Sequence, residues 1–160
     1  QMVDDSITAL RRTETATNAF FDDLAAWLER DGHGSVRIPV PGVVDNPLSP
    51  ALRALASALK VLRTRVTNET DEMELGSLAG RATEIAEAAA LLIEQGVEGC
   101  VYWAESHRRP DRRGRGHLYV LETLGNFEHE PGILPQPLLR IASAIPPRTA
   151  TDATSNSPAA

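Results

Sequence analysis

Two adjacent segments with apolar residues at helical spacing constrain the fold of this chain most. The first segment carries an apolar residue at every third or fourth position: Leu52, Leu55, Leu59, Leu62 and Val66. The second segment repeats that spacing: Leu75, Leu78, Ala82, Ile85, Ala89 and Leu92. Only the polar stretch "TNETDE" separates them. Two such seams joined by a short polar turn predict an antiparallel helical hairpin.

The ends of this hairpin carry recognisable boundary residues. Ser49 and Pro50 predict the start of the earlier helix, because serine caps helices and a proline at the first position sacrifices no hydrogen bond. Gly96 predicts the end of the later helix. Alanines at positions 79, 82, 86 and 89 indicate that the two axes approach closely.

A further amphipathic helix is predicted upstream, from Ser6 to Arg30. One side of it carries the residues expected to be buried: Ile7, Leu10, Thr17, Phe20, Phe21, Leu24, Trp27 and Leu28. The stretch "DGHG" ends the helix, and the next 16 residues contain four prolines. Proline disfavours both helix and central strand, so these residues predict an extended crossing segment.

The pattern changes to β-favouring runs after Gly99. Val101–Glu105 and His117–Leu124, separated by a polar loop, predict a β-hairpin within 99–124. We expect one short helix near Leu138 and a disordered tail over 146–160, which is small and polar. The predicted fold is mainly α: an antiparallel bundle of three long helices with a C-terminal β-hairpin, forming one domain over 1–145.

Charge and cysteine content exclude several kinds of protein. The formal net charge is -6 and the pI about 5.2, so a nucleic-acid binder that works by bulk positive charge is excluded. Cys100 is the only cysteine, which excludes an internal disulfide and a multi-cysteine metal site. We find no signal-peptide pattern and no apolar run near the ~20 residues that span a bilayer. We therefore expect a cytoplasmic protein without membrane contact and, because it begins at Gln1, a fragment or truncated relative of a longer chain.

No catalytic motif occurs in the sequence. Patterns of the GxxxxGK[ST], GxGxxG, HExxH and GxSxG types are all missing. The carboxylates Glu84, Glu87 and Glu94 are interpreted as a solvated helix face, and Cys100 as a buried structural thiol. We expect neither independent enzymatic activity nor a cofactor in this chain.

The four histidines, at positions 33, 107, 117 and 129, occur singly. His107 and His117 would hold a metal if they faced one another across the hairpin. Exposure to solvent is the favoured interpretation, because no thiol or carboxylate pair joins them at ligand spacing. We therefore predict no metal site.

An arginine cluster between the two predicted strands is the strongest candidate for a binding site. Guanidinium groups suit phosphate contacts, and each neutralised phosphate adds salt-dependent affinity. The predicted nucleic-acid-binding residues are five of the chain's 16 Lys and Arg residues: Arg108, Arg109, Arg112, Arg113 and Arg115. An alternative stays open, in which these arginines form a solvated turn or pair with acidic helices.

The aromatic pair Tyr102 and Trp103 precedes this cluster. Either ring is a candidate for stacking on a base. Strand alternation places Trp103 on one face with Val101, and we expect that face to belong to the core.

The order of these features resembles the mostly helical arch insertion of DinG/XPD-type helicases, a superfamily 2 group. In DinG-like members a long helix leads into a "YVYWVE"-like strand, a variable basic turn and a second strand. This chain has "LRALASALKVLRTRV", then "SLAGRATEIAEAAALLIEQGVEGCVYWAE" and "RRGRGHLYVLE". Upstream, "TNAFFDDLAAWLERDGHGSVRIP" is similar to the first arch helix. The similarity covers Ser6 to Leu124, and its sharpest element is "VYWAE".

The resemblance implies an accessory domain of an ATP-dependent DNA helicase, a hydrolase of DNA repair. Such a domain helps guide single-stranded DNA, while the motor domains bind ATP and Mg²⁺. The motor landmarks are absent here, namely the "TSATL"-like motif, the nucleotide-binding lysine, the DEAH box and the cluster cysteines. No family catalytic residue is therefore carried over. The alternative is a helical protein-interaction module without nucleic-acid binding.

Overall fold

The computed structural model describes residues 1–31, 35–108, 117–124 and 137–145. Within them are three helices, α1 (Met2–Asp31), α2 (Leu48–Arg63) and α3 (Glu69–Glu94). The strands are β1 (Ser35–Arg37), β2 (Val101–Arg108), β3 (His117–Leu124) and β4 (Pro137–Ile145). The prediction of a mainly helical chain with three long helices and a β-hairpin is confirmed. The tail over 146–160, predicted to be disordered, lies outside the described residues.

The four strands form one antiparallel sheet in the order β1-β2-β3-β4. β2 and β3 are the hairpin predicted within 99–124. The short helix expected near Leu138 is wrong, because β4 occupies that segment. Arg140, Ile141 and Ala142 alternate exposed, buried and exposed, as a strand on a covered sheet requires. Pairing with β3 also supplies the support that a two-stranded hairpin lacks.

The proline-rich segment after β1 links the sheet to the helices. The Ile38 N–H donates to the Tyr102 carbonyl at 2.8 Å, and the Gly42 N–H donates to the Ile93 carbonyl at 2.9 Å. Pro39 and Pro41 have no N–H to donate, which limits β1 to three residues. The prediction of an extended segment holds only in part, because the chain turns at Pro41 and Gly42, where the φ of Gly42 is 73°. Its hydrogen bonds fix the segment to both β2 and the end of α3.

α2 packs against both other helices and runs antiparallel to each of them. The Thr13 hydroxyl on α1 donates to the Ala51 carbonyl at 3.2 Å, near the start of α2. At the open end of the α2–α3 pair the Ser49 hydroxyl donates to the Ala86 carbonyl at 2.7 Å. Close to the connecting turn, Arg63 and Glu72 form an ion pair at 2.9 Å. The predicted antiparallel helical hairpin is therefore confirmed.

The start of α2 differs from the prediction. The helix begins at Leu48, and Ser49 uses its hydroxyl to reach α3 rather than to cap its own helix. The N-cap residue is Pro47, which makes no side-chain cap, and Asn46 before it supplies the capping bond, because its Oδ1 accepts from the Ser49 N–H at 3.1 Å. The buried hydroxyl of Ser49 therefore joins α2 to α3, and the side chain of Asn46 satisfies the backbone N–H at the start of α2.

The end of α3 lies one residue before the predicted Gly96. Gln95 adopts the left-handed conformation, with φ at 53°, that a glycine normally supplies. Its side-chain Nε2 donates to the Ile38 carbonyl at 3.1 Å. This bond offsets part of the backbone strain and attaches the helix end to the strand-linking segment.

Small side chains fill the seam between α2 and α3. Ala79, Ala82, Ala86 and Ala89 are buried, which confirms the close approach predicted from the alanines. Leu78 and Ile85 were expected on this seam but are 50% and 44% exposed, so that assignment is wrong. The positions 79, 82, 86, 89 and 93 have the same three–four spacing. Spacing alone does not distinguish the two registers, and close packing selects the one with smaller side chains.

In the first half of α1, too, small residues are buried where larger ones were expected. Ile7 and Leu10 were expected in the core but are exposed, whereas Ser6, Thr13 and Ala16 are buried. The second half agrees with the prediction: the buried cluster there includes Phe20, Phe21, Leu24, Trp27 and Leu28.

The alanine seam predicts effects of different size for two leucine substitutions on α3. Ala89→Leu should lower the free energy of unfolding by about 1–3 kcal/mol, because the added side chain overpacks a fully buried site. Glu87→Leu, at an exposed position two residues away, should change it by no more than about 0.5 kcal/mol. Urea denaturation at one protein concentration measures both. Equal effects of the two substitutions would contradict the seam.

Candidate nucleic-acid interface

The two adjacent aromatic residues of β2 occupy opposite faces of the sheet. Tyr102 and Ala104 face the helices and are buried, and both belong to the apolar core cluster. Trp103 alternates with them, is half-buried, and lies outside that cluster. The expectation that Trp103 belongs to the core is therefore wrong. The Tyr102 ring lies in the core, and the Trp103 indole lies on the outer face of the sheet.

The buried tyrosine is fixed by a pair of hydrogen bonds. Its hydroxyl donates to the Val97 carbonyl and accepts from the Val97 N–H, each at 2.9 Å. The ring therefore connects β2 to the turn that follows α3. With an exposed fraction of 3%, Tyr102 has no ring face available for a base, so only Trp103 remains of the two stacking candidates.

Two exposed arginines lie in the same cross-strand row as Trp103. The register pairs Trp103 with Arg37 on β1 and with Glu122 on β3, and Glu122 with Arg140 on β4. Arg37 and Arg140 are both exposed. Strands lie ~4.8 Å apart in a sheet, so the two arginine backbones flank that of Trp103 at about 5 and 10 Å. An indole between guanidinium-bearing positions is an arrangement suited to stacking a base and holding phosphates.

Other residues of the outer face are only partly accessible. Glu105 and His107 contact each other, with 2.7 Å between Oε2 and Nε2, and His107 is the more exposed of the two. Val120, which pairs with Glu105, is buried although it does not belong to the core cluster. Ala142, which pairs with Val120, is exposed. The accessible part of this face therefore follows the row of Arg37, Trp103 and Arg140 and the His107 end of β2.

The register does not support a metal shared by His107 and His117. His107 pairs with Leu118, whereas His117 pairs with Arg108, so the two histidine positions belong to opposite faces of the pleated sheet. Within the described ranges no three potential metal ligands cluster. His33 and His129 lie outside those ranges.

The predicted arginine cluster begins where β2 ends. Arg108 is the last residue of β2 and pairs with His117 at the start of β3. Arg109, Arg112, Arg113 and Arg115 lie outside the described residues, so their phosphate contacts stay a prediction. Sequence reasoning missed Arg37 and Arg140, and for Arg140 a signal was present. The order Leu139, Arg140, Ile141 alternates as a half-buried strand does.

The remaining candidates are accounted for by the helices. Glu84, Glu87 and Glu94 are exposed on α3, as expected for a solvated face. Cys100 is half-buried and packs against the core cluster, which agrees with a structural role.

Comparisons with known proteins leave the resemblance to the helicase arch untested. No protein-family model, curated protein or solved structure matches this chain. Among the described residues no helix is both long and apolar enough to cross a bilayer.

The tyrosine clamp predicts a stability difference between neighbouring aromatic positions. Tyr102→Phe should lower the free energy of unfolding by about 1–3 kcal/mol, because two partly buried backbone groups of Val97 lose their partner. Trp103→Phe, on the half-buried outer face, should cost less. Chemical denaturation of the two variants tests this order, and the reverse order would show that the outer ring and not the clamp holds β2.

Proposed function

We propose that this chain is a cytoplasmic accessory domain that guides single-stranded DNA along the outer face of its sheet, beside the motor of an ATP-dependent DNA helicase. The observation that carries the proposal is the position of Trp103. The indole is half-buried and lies outside the core, in one row with Arg37 and Arg140. Helicase motor domains and single-stranded DNA are the partners that this function requires.

The chemistry of this row favours a single strand over a duplex. An aromatic side chain on a strand stacks on an unpaired base regardless of its identity, because every base has a π-face. Arginines beside it contact the phosphates, which makes affinity depend on salt. A net charge of -6 does not oppose this, because the cations are local to one surface.

The arginine cluster at the end of the hairpin would extend the same path. β2 carries Trp103 and ends at Arg108, so the cluster follows the indole along the chain. In this proposal Arg108, Arg109, Arg112, Arg113 and Arg115 contact further phosphates. The sequence contains no triphosphate-binding loop, so ATP and Mg²⁺ would be bound by the motor and not by this domain.

Substitution of Trp103 separates stacking from packing. Trp103→Leu keeps an apolar side chain but removes the π-face, and should weaken binding of a fluorescein-labelled oligo(dT) at least about 5-fold. Trp103→Phe keeps an aromatic ring and should retain most of the affinity. Fluorescence anisotropy measures both, with circular dichroism to confirm folding. Equal affinities of the leucine and phenylalanine variants would contradict stacking at this position.

The five-arginine variant tests the cluster independently of the sheet. Changing all five arginines to alanine should remove most of the salt-sensitive part of the affinity, because each phosphate contact contributes about 0.7 to the slope of log K against log salt. Arg37→Ala and Arg140→Ala should each lower the slope by about 0.7, the contribution of one phosphate contact. Arg53→Ala, an exposed arginine on α2, is the matched control and should leave the slope unchanged. Unchanged affinity of the five-arginine variant at low salt would defeat the cluster as a binding site.

A different surface favours the second candidate, a helical protein-interaction module. Leu78 and Ile85 are exposed on α3, and neither packs in the helical hairpin. If the unaltered chain binds no oligo(dT) at low salt, the DNA-guiding function is wrong and this alternative takes its place.

A further inference from the structure

Two helices, α1 and α3, expose runs of large apolar side chains. On α1 they are Val3, Ile7 and Leu10, called the α1 stripe, and on α3 they are Leu78 and Ile85, called the α3 stripe. All five side chains are between 44% and 58% exposed. Residues three, four and seven apart share one side of a helix, so each stripe is continuous.

Both stripes continue sides of their helices that are covered by the sheet further along. Leu24 lies 14 residues beyond Leu10 on the same side of α1, and Leu92 lies seven residues beyond Ile85 on α3. Leu24 and Leu92 are fully buried in the core cluster. α1 contacts all four strands and α3 contacts β3 and β4. The sheet thus covers only the later part of each helix, after Leu10 on α1 and after Ile85 on α3, and the stripes are the uncovered remainder of the same apolar sides.

The two stripes point the same way relative to the sheet. α1 runs antiparallel to α2, since residues 5 to 9 lie beside Ala54 while Thr13 bonds Ala51. α3 also runs antiparallel to α2. α1 and α3 are therefore parallel, both pack against α2, and the ends at which they begin extend together beyond the sheet. The two stripes thus lie at the same end of the molecule, on helices that run in the same direction.

Charged residues border both stripes in the same order. On α1, Asp4 lies three residues before Ile7 and Arg11 lies four residues after it. On α3, Glu74 lies four residues before Leu78 and Arg81 lies three residues after it. All four are exposed. In the part of the chain that the structure describes, no ion pair joins Arg11, Glu74 or Arg81 to an opposite charge. In each stripe the acid comes first and the base follows seven residues later.

We propose that the α1 and α3 stripes are the contact surface for a second copy of this chain, packed in an antiparallel two-fold arrangement. A two-fold axis perpendicular to the helices places α1 against α1 and α3 against α3 with opposite directions. Each acid then faces the base of the other copy, Asp4 against Arg11 and Glu74 against Arg81. A parallel arrangement would place like charges together. The self-complementary order of charges is what favours a second copy over an unrelated helix.

Sedimentation equilibrium of the chain without nucleic acid tests the contact. The unaltered chain should form a dimer whose dissociation constant rises about tenfold or more with Leu78→Glu, because Leu78 lies at the centre of the α3 contact and the buried carboxylate would lack a partner. Met73→Glu is the matched control: Met73 is also an exposed apolar residue of α3, but it lies on another side of the helix. This control should dimerise as the unaltered chain does.

A charge exchange tests the antiparallel order. Glu74→Arg and Arg81→Glu should each weaken self-association, since each variant then faces like charges. An equimolar mixture of the two should associate more tightly than either variant alone, because every contact becomes opposite again. A monomer at all concentrations, a dimer insensitive to Leu78→Glu, or a mixture no tighter than its components would each overturn the proposal. The Trp103 variants should dimerise normally, so failure of this inference and failure of the proposed function are separable.

Discussion

The packing of one sheet face against the second halves of α1 and α3 is the contact on which the other features depend. It buries Phe20, Leu24 and Leu92 together with Tyr102 and Ala104 in one cluster. Because strand side chains alternate, burying Tyr102 directs its neighbour Trp103 outward. Because the sheet covers only the later part of α1 and α3, the same contact leaves the earlier apolar residues of both helices exposed. Both candidate surfaces are therefore by-products of one buried interface.

The sequence predicted the elements better than it predicted their faces. Three helices and the hairpin follow from apolar spacing, which depends only on local geometry. The register of α3 does not, since two sets of residues fit the same spacing and the difference lies in how closely another helix approaches. Ser49 shows the same limit: a serine before a helix predicts a cap, but its oxygen bonds Ala86 across the hairpin. Such choices are decided by distant neighbours that a local pattern does not contain.

The candidate site was predictable only in part for a related reason. The arginine cluster is visible because its members are contiguous in sequence, whereas Arg37, Trp103 and Arg140 are far apart and meet only through strand pairing. The wrong prediction of a short helix near Leu138 concealed this row, because without β4 the residue Arg140 has no strand partner on β3. Exposed arginines that are far apart in an acidic chain can thus meet in one row, which neither the total charge nor any single segment reveals.

The prolines that end β1 also limit how the protein associates with itself. A sheet edge offers unpaired backbone groups that recruit strands from other molecules, and this is a common origin of aggregation. Here the β1 edge extends for three residues before Pro39 and Pro41 remove two of its donors. Growth of the sheet from molecule to molecule is therefore impeded at this edge, which lowers the risk of fibre formation there.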